Sequence, residues 1–375
     1  MRAYDAKKGY SWSSDLFYLK GGRTTGMAVS GSTVFVAGYY GVAGSGEEEV
    51  FLRSYDAKGK GLKVDSYTGA PMAGLYPNGV KALGSKVVAF SNYESAPGVV
   101  WGSIAGFSAK TGAYLWEADY GESWQNLISS QVNDITVSGS SVAVVGYQQT
   151  ADGYKWFNVS LYSAVNGSFG SAWGARGNGV GNEALAVSWT GSIIGAAGYV
   201  TDGSGNRYAR AVRIIAKGKG AGMTILEDFD LGYGENRFTT VAVDKSQVYA
   251  GGQGIGDGGR QMSFIRAYDA KTTDFLWGDT FDLAGLGGSV TTGLAAAKAG
   301  VYMAGYSLSA PGVTDWFTMA YNLGGGVKWR QDLNPFNQDT NKALGVAAAS
   351  SAIVAVGQYK NNDGKLKGAV QAYAP

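Results

Sequence analysis

Cysteine and histidine are both absent from the 375 residues. Without cysteine there is no disulfide, no thiolate nucleophile and no Cys-ligated zinc or iron–sulfur site. Without histidine the commonest general base and the commonest transition-metal ligand are gone, and with them the usual catalytic triad. Charge is scarce too: charged residues make up 16% and the net charge is +2. Neither sign builds the field that binding through a basic face needs, so no nucleic-acid partner is expected. No apolar run approaches the ~18 residues that cross a bilayer as a helix, so no membrane span is expected. The opening Met1-Arg2-Ala3-Tyr4-Asp5 carries no apolar h-region, so no signal peptide is visible. Low charge, no Cys and abundant Gly, Ser, Thr and Tyr favour an extracytoplasmic protein (secreted, periplasmic or cell-surface) with its leader removed, over a cytosolic one.

What is present is glycine and aromatic surface. There are 60 Gly, 24 Tyr and 10 Trp, and apolar residues reach 45%. That is enough for a large core, and disorder is excluded. An apolar run ending in Gly-Tyr recurs, as in Val34-Phe35-Val36-Ala37-Gly38-Tyr39 and Val142-Ala143-Val144-Val145-Gly146-Tyr147. It returns at Gly198-Tyr199 and Gly305-Tyr306, with variants at Ser91-Asn92, Gly252-Gln253 and Gly357-Gln358. The first residues of these pairs are 38, 91, 146, 198, 252, 305 and 357, so successive spacings are 53, 55, 52, 54, 53 and 52. Seven copies at that period mark a repeat architecture.

Each copy holds four short runs separated by turn signals, and none holds a sustained helical period. That argues for antiparallel β structure with almost no helix. Closing the repeats radially leaves only short, protected sheet edges. The expected fold is all-β: one seven-bladed β-propeller domain over 1–375, of four-stranded antiparallel blades. The blades span about 26–69, 79–121, 132–177, 183–232, 238–285 and 291–335. The last spans 342–375 and is closed by 1–20, with residues 11–18 as its outer strand. One mismatch stands against this closure: the Ala-Tyr strand occurs eight times, at both termini as well as inside. One terminal copy should therefore be displaced.

The turn segments resemble quinoprotein-type (PQQ-like) propeller repeats. Phe107-Ser108-Ala109-Lys110-Thr111-Gly112-Ala113-Tyr114-Leu115-Trp116 is similar to their Asp-x-x-Thr-Gly-x-x-x-Trp pattern, with Ser108 in place of the Asp. Tyr268-Asp269-Ala270-Lys271-Thr272-Thr273-Asp274-Phe275-Leu276-Trp277 and Tyr4-Asp5-Ala6-Lys7-Lys8-Gly9 are weaker versions. The resemblance implies that Trp12, Trp116, Trp173, Trp277 and Trp329 dock neighbouring blades. The Gly-Tyr strands also resemble repeats of secreted bacterial surface propellers. Catalysis does not carry over. Quinoprotein alcohol dehydrogenases have eight blades, and many use a vicinal disulfide, while the soluble glucose dehydrogenases use a His base. This chain has neither residue, so no cofactor is expected.

Two sets of residues are candidate sites. Aligning the repeats places Thr25, Asn78, Asn133, Glu183, Thr239, Thr292 and Lys342 at the starts of the inner strands. There they would ring one channel mouth, as a wet rim or as a shallow polar binding site. Aromatics crowd the same predicted loop face: Tyr39, Trp101, Trp124, Trp156, Trp316 and Phe336. Of these Trp101, Trp124, Trp156 and Trp316 are the candidates for stacking on a protein or carbohydrate partner. The competing reading packs them over neighbouring loops. Asp202-Gly203-Ser204-Gly205-Asn206 has oxygens at alternate positions like a calcium loop, but Arg213 stands where the twelfth-position Glu would be; a hairpin turn is expected, and no metal. Carboxylate pairs are the only acid–base chemistry left, and Glu122, Asp134, Glu183, Glu235 and Asp315 lie near the predicted face.

Three functions follow. The first is a non-catalytic binding or scaffold propeller engaging a protein or carbohydrate through its loop face. The second is a carboxylate-dependent glycosidase or polysaccharide lyase. The third is a lectin with one site per blade, against which the loops differ strongly from copy to copy.

Overall fold

A computed structural model describes residues 2–5, 9–13, 23–41, 48–56, 58, 60–67, 76–121, 126–218, 220–283, 288–310, 312–333, 340–349, 352–360 and 365–374. The chain is an all-β propeller of seven antiparallel blades, as expected. Its one helical element among these residues is the single 3₁₀ turn Asp257–Gly259.

The chain divides into two compact units, Met1–Ala175 and Arg176–Pro375. The first unit opens on a hairpin, β1 (Arg2–Asp5) and β2 (Gly9–Ser13). Blade one follows as β3 (Arg23–Ser30), β4 (Thr33–Gly41), β5 (Glu48–Asp56) and β6 (Gly61–Tyr67). Blade two is β7 (Tyr76–Leu83), β8 (Lys86–Ala96), β9 (Val99–Ser108) and β10 (Tyr114–Tyr120). Blade three is β11 (Leu127–Ser138), β12 (Ser141–Thr150), β13 (Lys155–Ser163) and β14 (Phe169–Ala175). In the second unit, blade four is β15 (Glu183–Thr190), β16 (Ile193–Thr201), β17 (Arg207–Ile215) and β18 (Gly222–Phe229). Blade five is β19 (Arg237–Val243), β20 (Gln247–Gly256), β21 (Arg260–Asp269) and β22 (Phe275–Phe281). Blade six is β23 (Val290–Ala297), β24 (Gly300–Ala310), β25 (Val313–Tyr321) and β26 (Val327–Leu333). Blade seven is β27 (Asn341–Ala348), β28 (Ile353–Lys360) and β29 (Leu366–Tyr373).

Each sheet is a meander in sequence order. Middle strands are buried on both faces: Val142–Gln148 runs without an exposed residue. Outer strands alternate, as Tyr114–Tyr120 does. This contrast follows from stacking sheet on sheet, which covers both faces of a middle strand. Blades one and two share Phe35, Leu52, Val80, Val87 and Phe107. Blades two and three share Phe90, Ile104, Trp116, Val132, Ile135 and Tyr162.

The register explains the repeat landmark. Every inner strand carries a bulge facing the landmark, and its extra residue is Thr25, Asn78, Asn133, Leu185, Thr239, Thr292 or Leu344. The residue just before the bulge pairs with the first residue of the landmark, for example Phe238 with Gly252. A Cβ on Gly146, Gly198, Gly252, Gly305 or Gly357 would strike the carbonyl oxygen two residues before the bulge. Glycine recurs there for room, not for backbone freedom. Gly252→Ala should therefore cost about 1–3 kcal/mol or more, because the obstacle is backbone that cannot swing away. Gly61→Ala, where a Cβ meets open space, should be near neutral. Urea unfolding of the two variants checks the contrast.

A second bulge sits in the outer strands, one residue before the tryptophan: Leu115 before Trp116, Leu276 before Trp277, Lys328 before Trp329. Trp116 Nε1 donates to Ala164 O of the next blade at 3.4 Å, and Trp277 Nε1 donates to Leu323 O at 3.0 Å. Both indoles dock as the resemblance implied, and Trp329 stacks near Tyr373 at 5.1 Å. Trp173 departs from the pattern. Blade three has its bulge at Gly170, so Ser171 takes the docking register and Trp173 lies two residues further on.

The N-terminal strands pair with each other. β1 and β2 reproduce a third-and-fourth-strand pair, with Ala3 opposite Trp12 and the bulge at Ser11, as Ala267 lies opposite Trp277. The inner edge of β2 is thus taken by β1, and β29 already supplies the third strand of blade seven. Within the second unit β29 pairs with β28. Residues 14–18 of the proposed clasp lie outside the described residues. The N-terminal Ala-Tyr copy thus forms a hairpin with its own fourth strand.

Four of the tyrosines in the second unit that donate to carboxylates are half-buried or buried at the phenol: Tyr199 to Glu183 (2.7 Å), Tyr249 to Asp244 (3.0 Å), Tyr268 to Glu227 (2.5 Å) and Tyr321 to Asp279 (3.0 Å). Burial first, then the adjacent negative charge, raises all four phenol pKa values. A raised pKa gives stability that is complete below the unfolded value of ~10 and is lost as pH climbs above it. The thermal midpoint should fall steadily above that pH, and Tyr249→Phe should blunt the fall.

Candidate functional site

The loop face of blade two carries a cleft of about 400 Å³, a size within the ~300–1,000 Å³ typical of small-molecule sites. Among the described residues it is lined by Tyr93, Trp101, Asp119, Tyr120, Gly121, Asn126 and Leu127. The register builds one wall. Tyr93 pairs with Trp101 across β8 and β9, and Ser103 pairs with Asp119 across β9 and β10. Cross-strand partners share a sheet face, and so do residues two apart along a strand. Tyr93, Trp101 and Asp119 therefore lie on one face as two aromatic rings and a carboxylate. Burial, then the charges of Asp119 and Glu117, raises the Tyr93 pKa, so its phenol stays a hydrogen-bond donor.

The opposite side rests on a polar core. Tyr120 donates to Asn158 Oδ1 at 2.8 Å, which also accepts from Ser160 at 2.8 Å. Gly121 turns the chain with φ +114°. Behind it lies Gln148, fully buried, with neither amide atom hydrogen-bonded among the described residues. Its Nε2 is 3.4 Å from where a Gly121 Cβ would stand.

The sequence-derived residues separate into groups. Thr25, Asn78, Asn133, Thr239 and Thr292 are the bulge residues of their strands. Three of them tie blade to blade: Asn78 donates to Val132 O (3.0 Å), Thr239 to Thr291 O (2.8 Å) and Thr292 to Ala343 O (2.9 Å). Each acceptor directly precedes the next blade's bulge. Glu183 and Lys342 are not equivalent to these; the register puts Leu185 and Leu344 there, two residues on. The alignment followed polar side chains, whereas a bulge is set by backbone and tolerates leucine. Glu183 accepts from Tyr199, and Lys342 Nζ lies 4.6 Å over the Tyr306 ring.

Of the four tryptophans, Trp101 lines the cleft and Trp156 is half-buried in β13. Trp316 is a correction. It is fully buried in β25 opposite Tyr306, and its Nε1 donates to Thr318 Oγ1 at 3.0 Å. An inward position on a two-sided strand makes it core, not loop surface. Trp124, Glu122 and Phe336 lie outside the described residues. Tyr93, Asp119 and Gln148 were missed: counting back from the Pro97-Gly98 turn puts Glu94 opposite Trp101, and only the bulge at Ser95 brings Tyr93 there.

Of the carboxylates named for acid–base work, Asp134, Glu183 and Glu235 have partners. Asp134 pairs with Lys81 at 3.4 Å, and Glu235 with Arg207 at 3.4 Å. Arg207 also sits over the Tyr199 ring at 5.0 Å. Asp202 is the hairpin turn expected. Its Oδ1 accepts from the Ser204 and Asn206 amides, and its Oδ2 accepts from Asn206 and Tyr208 side chains. Among the described residues no cluster of three or more acidic side chains could hold a metal ion. No helix among them is long and apolar enough to cross a membrane.

No protein-family model matches the chain, and no curated protein matches its sequence. Solved structures do share its fold. The β-propeller domain of the Trilobed protease from Pyrococcus furiosus, described as having an open velcro topology, superposes with a TM-score of 0.52 at 9% identity, covering 94% of this chain and 97% of that one. Acylaminoacyl peptidase from Pyrococcus horikoshii gives 0.51 at 11% identity, covering 95% of this chain and 52% of that one. Quinohemoprotein alcohol dehydrogenase from Comamonas testosteroni gives 0.52 at 11% identity, covering 89% and 64%. This chain thus spans about half of the P. horikoshii peptidase, and what the three likenesses show is a shared propeller fold.

Proposed function

We propose that the chain is a non-catalytic binding propeller that captures a protein or carbohydrate partner through its loop face, outside the cytoplasm. The observation that carries this reading is the blade-two cleft, where two aromatic rings and a carboxylate share one face beside a polar floor. Such a surface binds by stacking and hydrogen bonding. The partners held by Asp134, Glu183 and Glu235 support binding over hydrolysis. A hydrolase needs one carboxyl kept protonated beside one that is ionised. The inter-blade ties of Asn78, Thr239 and Thr292 favour a structural part for the inner-strand positions, with recognition further out on the loops.

The test is a glycan array and a peptide array probed with the full chain and with Trp101→Ala and Trp156→Ala variants. Binding that both variants retain in full, for every ligand bound by the parent, overturns the reading. Turnover of a bound polysaccharide would favour the glycosidase or lyase instead.

A further inference from the structure

We propose that the blade-two cleft takes one neutral sugar ring, stacked on Trp101 and held by Tyr93 and Asp119, with the Gln148 amide holding a bridging water at the closed end. This rests on the loop-face reading above and gives its site a ligand class.

The chemistry of the lining selects the class. A pyranose ring has a face of C–H groups and a rim of hydroxyls. The first suits an indole face, and the second needs acceptors and donors set beside it. Trp101 supplies the indole. Asp119, on the same sheet face, is acceptor-only when ionised and can take two hydroxyl protons. Tyr93, on that face too, supplies a phenol that stays protonated because burial and the Asp119 and Glu117 charges oppose its ionisation. No lysine or arginine lines the cleft among the described residues. Glu117, which accepts from Ser103 at 2.8 Å, adds a second negative charge two residues from Asp119. Phosphate, sulfate and uronate groups are repelled by such a site, which leaves neutral rings.

Gln148 is the second, independent observation. A buried amide without partners costs roughly 1–3 kcal/mol, and here both amide atoms lack one directly behind a residue that lines the cleft. Buried polar groups of this kind commonly hold ordered water. A water shared by Gln148 and a ligand hydroxyl serves nearly as well as a direct hydrogen bond. Gln148 is then a positioning residue, acting through that water rather than by contact.

The experiment is a titration of the full chain with methyl glucoside, galactoside, mannoside and N-acetylglucosaminide. A capped Gly-Phe dipeptide is the probe of the other class. Tryptophan fluorescence and saturation-transfer NMR are the readouts. At least one glycoside should bind saturably. Trp101→Ala should weaken it about 10-fold or more, Trp101→Phe less, and Asp119→Asn about 10-fold. Gln148→Leu should weaken it several-fold while the unfolding midpoint holds or rises, because an apolar replacement removes an unsatisfied amide. The proposal is overturned if no glycoside binds, if binding ignores Trp101→Ala, or if Gln148→Leu binds like the parent. Dipeptide binding that needs Trp101, without glycoside binding, overturns the sugar assignment and leaves the loop-face reading standing. If neither Trp101→Ala nor Trp156→Ala changes the binding of any probe, both fall.

Discussion

Glu227→Ala should destabilise the protein by about 1.5–3 kcal/mol, the range for hydrogen bonds to a charged group, because the pair is half-buried. Glu227 stands on the outer strand of blade four and holds Arg266 of blade five through two hydrogen bonds, 2.9 and 2.6 Å. It also accepts from Tyr268. The guanidinium lies over Phe229 at 4.5 Å and Phe275 at 4.1 Å, and its side chain is 18% exposed. Alanine would leave that cation without its anion, between two rings that cannot hydrogen-bond it. The penalty is the stranded charge, so removing both charges should cost less than removing one. A Glu227→Leu/Arg266→Met double variant should recover much of the loss in urea unfolding. Arg330–Asp332 is the control: its side chains are 35% and 45% exposed, and breaking it should cost under ~1 kcal/mol. A Glu227→Ala loss as small as that would show that blades four and five do not depend on this pair.

The propeller was legible in the sequence because its repeat is written in a backbone requirement. Each landmark glycine faces a bulge whose neighbouring carbonyl leaves no room for a Cβ, so the residue recurs at a fixed period while loops drift. Blade two shows the margin of that rule, with Ser91 at the landmark. What backbone alone decides was not legible. Leu185 and Leu344 occupy bulges where a polar residue was expected. Trp173 slid two residues along its strand, since nothing in its local sequence reveals where the bulge falls. The eighth Ala-Tyr strand was seen as surplus, but its own pairing with β2 was not read from the sequence. The cleft was half legible. Trp101 was marked as an exposed aromatic, whereas Tyr93 and Asp119 join it only through register. Trp316 shows the converse error: an aromatic near a strand end counts as surface only if its side of the sheet is open, and here both sides are covered.

The docked tryptophan offers the sharpest test of how one blade holds the next. Trp116 is 6% exposed and packs in the core shared by blades two and three. Trp116→Ala should cost about 3–5 kcal/mol, most of it the void left behind, because its hydrogen bond to Ala164 O is long at 3.4 Å. Two glycines make the void. Gly106 lies opposite Trp116 in the ladder, and a Cβ there would overlap the indole. Gly167, in the turn of blade three with φ +71°, has the six-membered ring 2.6 Å from its Cβ position. Gly106 is small because the indole fills its side-chain space, so Gly106→Ala should change sign with the tryptophan. In the parent, Gly106→Ala should destabilise by about 1–3 kcal/mol through overpacking. In the Trp116→Ala background it should be neutral or stabilising, since the added methyl enters empty space. A double-mutant cycle by urea unfolding measures the coupling, and sites in contact couple by about 0.5–3 kcal/mol. Simple additivity of the two losses would mean that the indole does not occupy the space above Gly106, and the account of blade docking would fail with it.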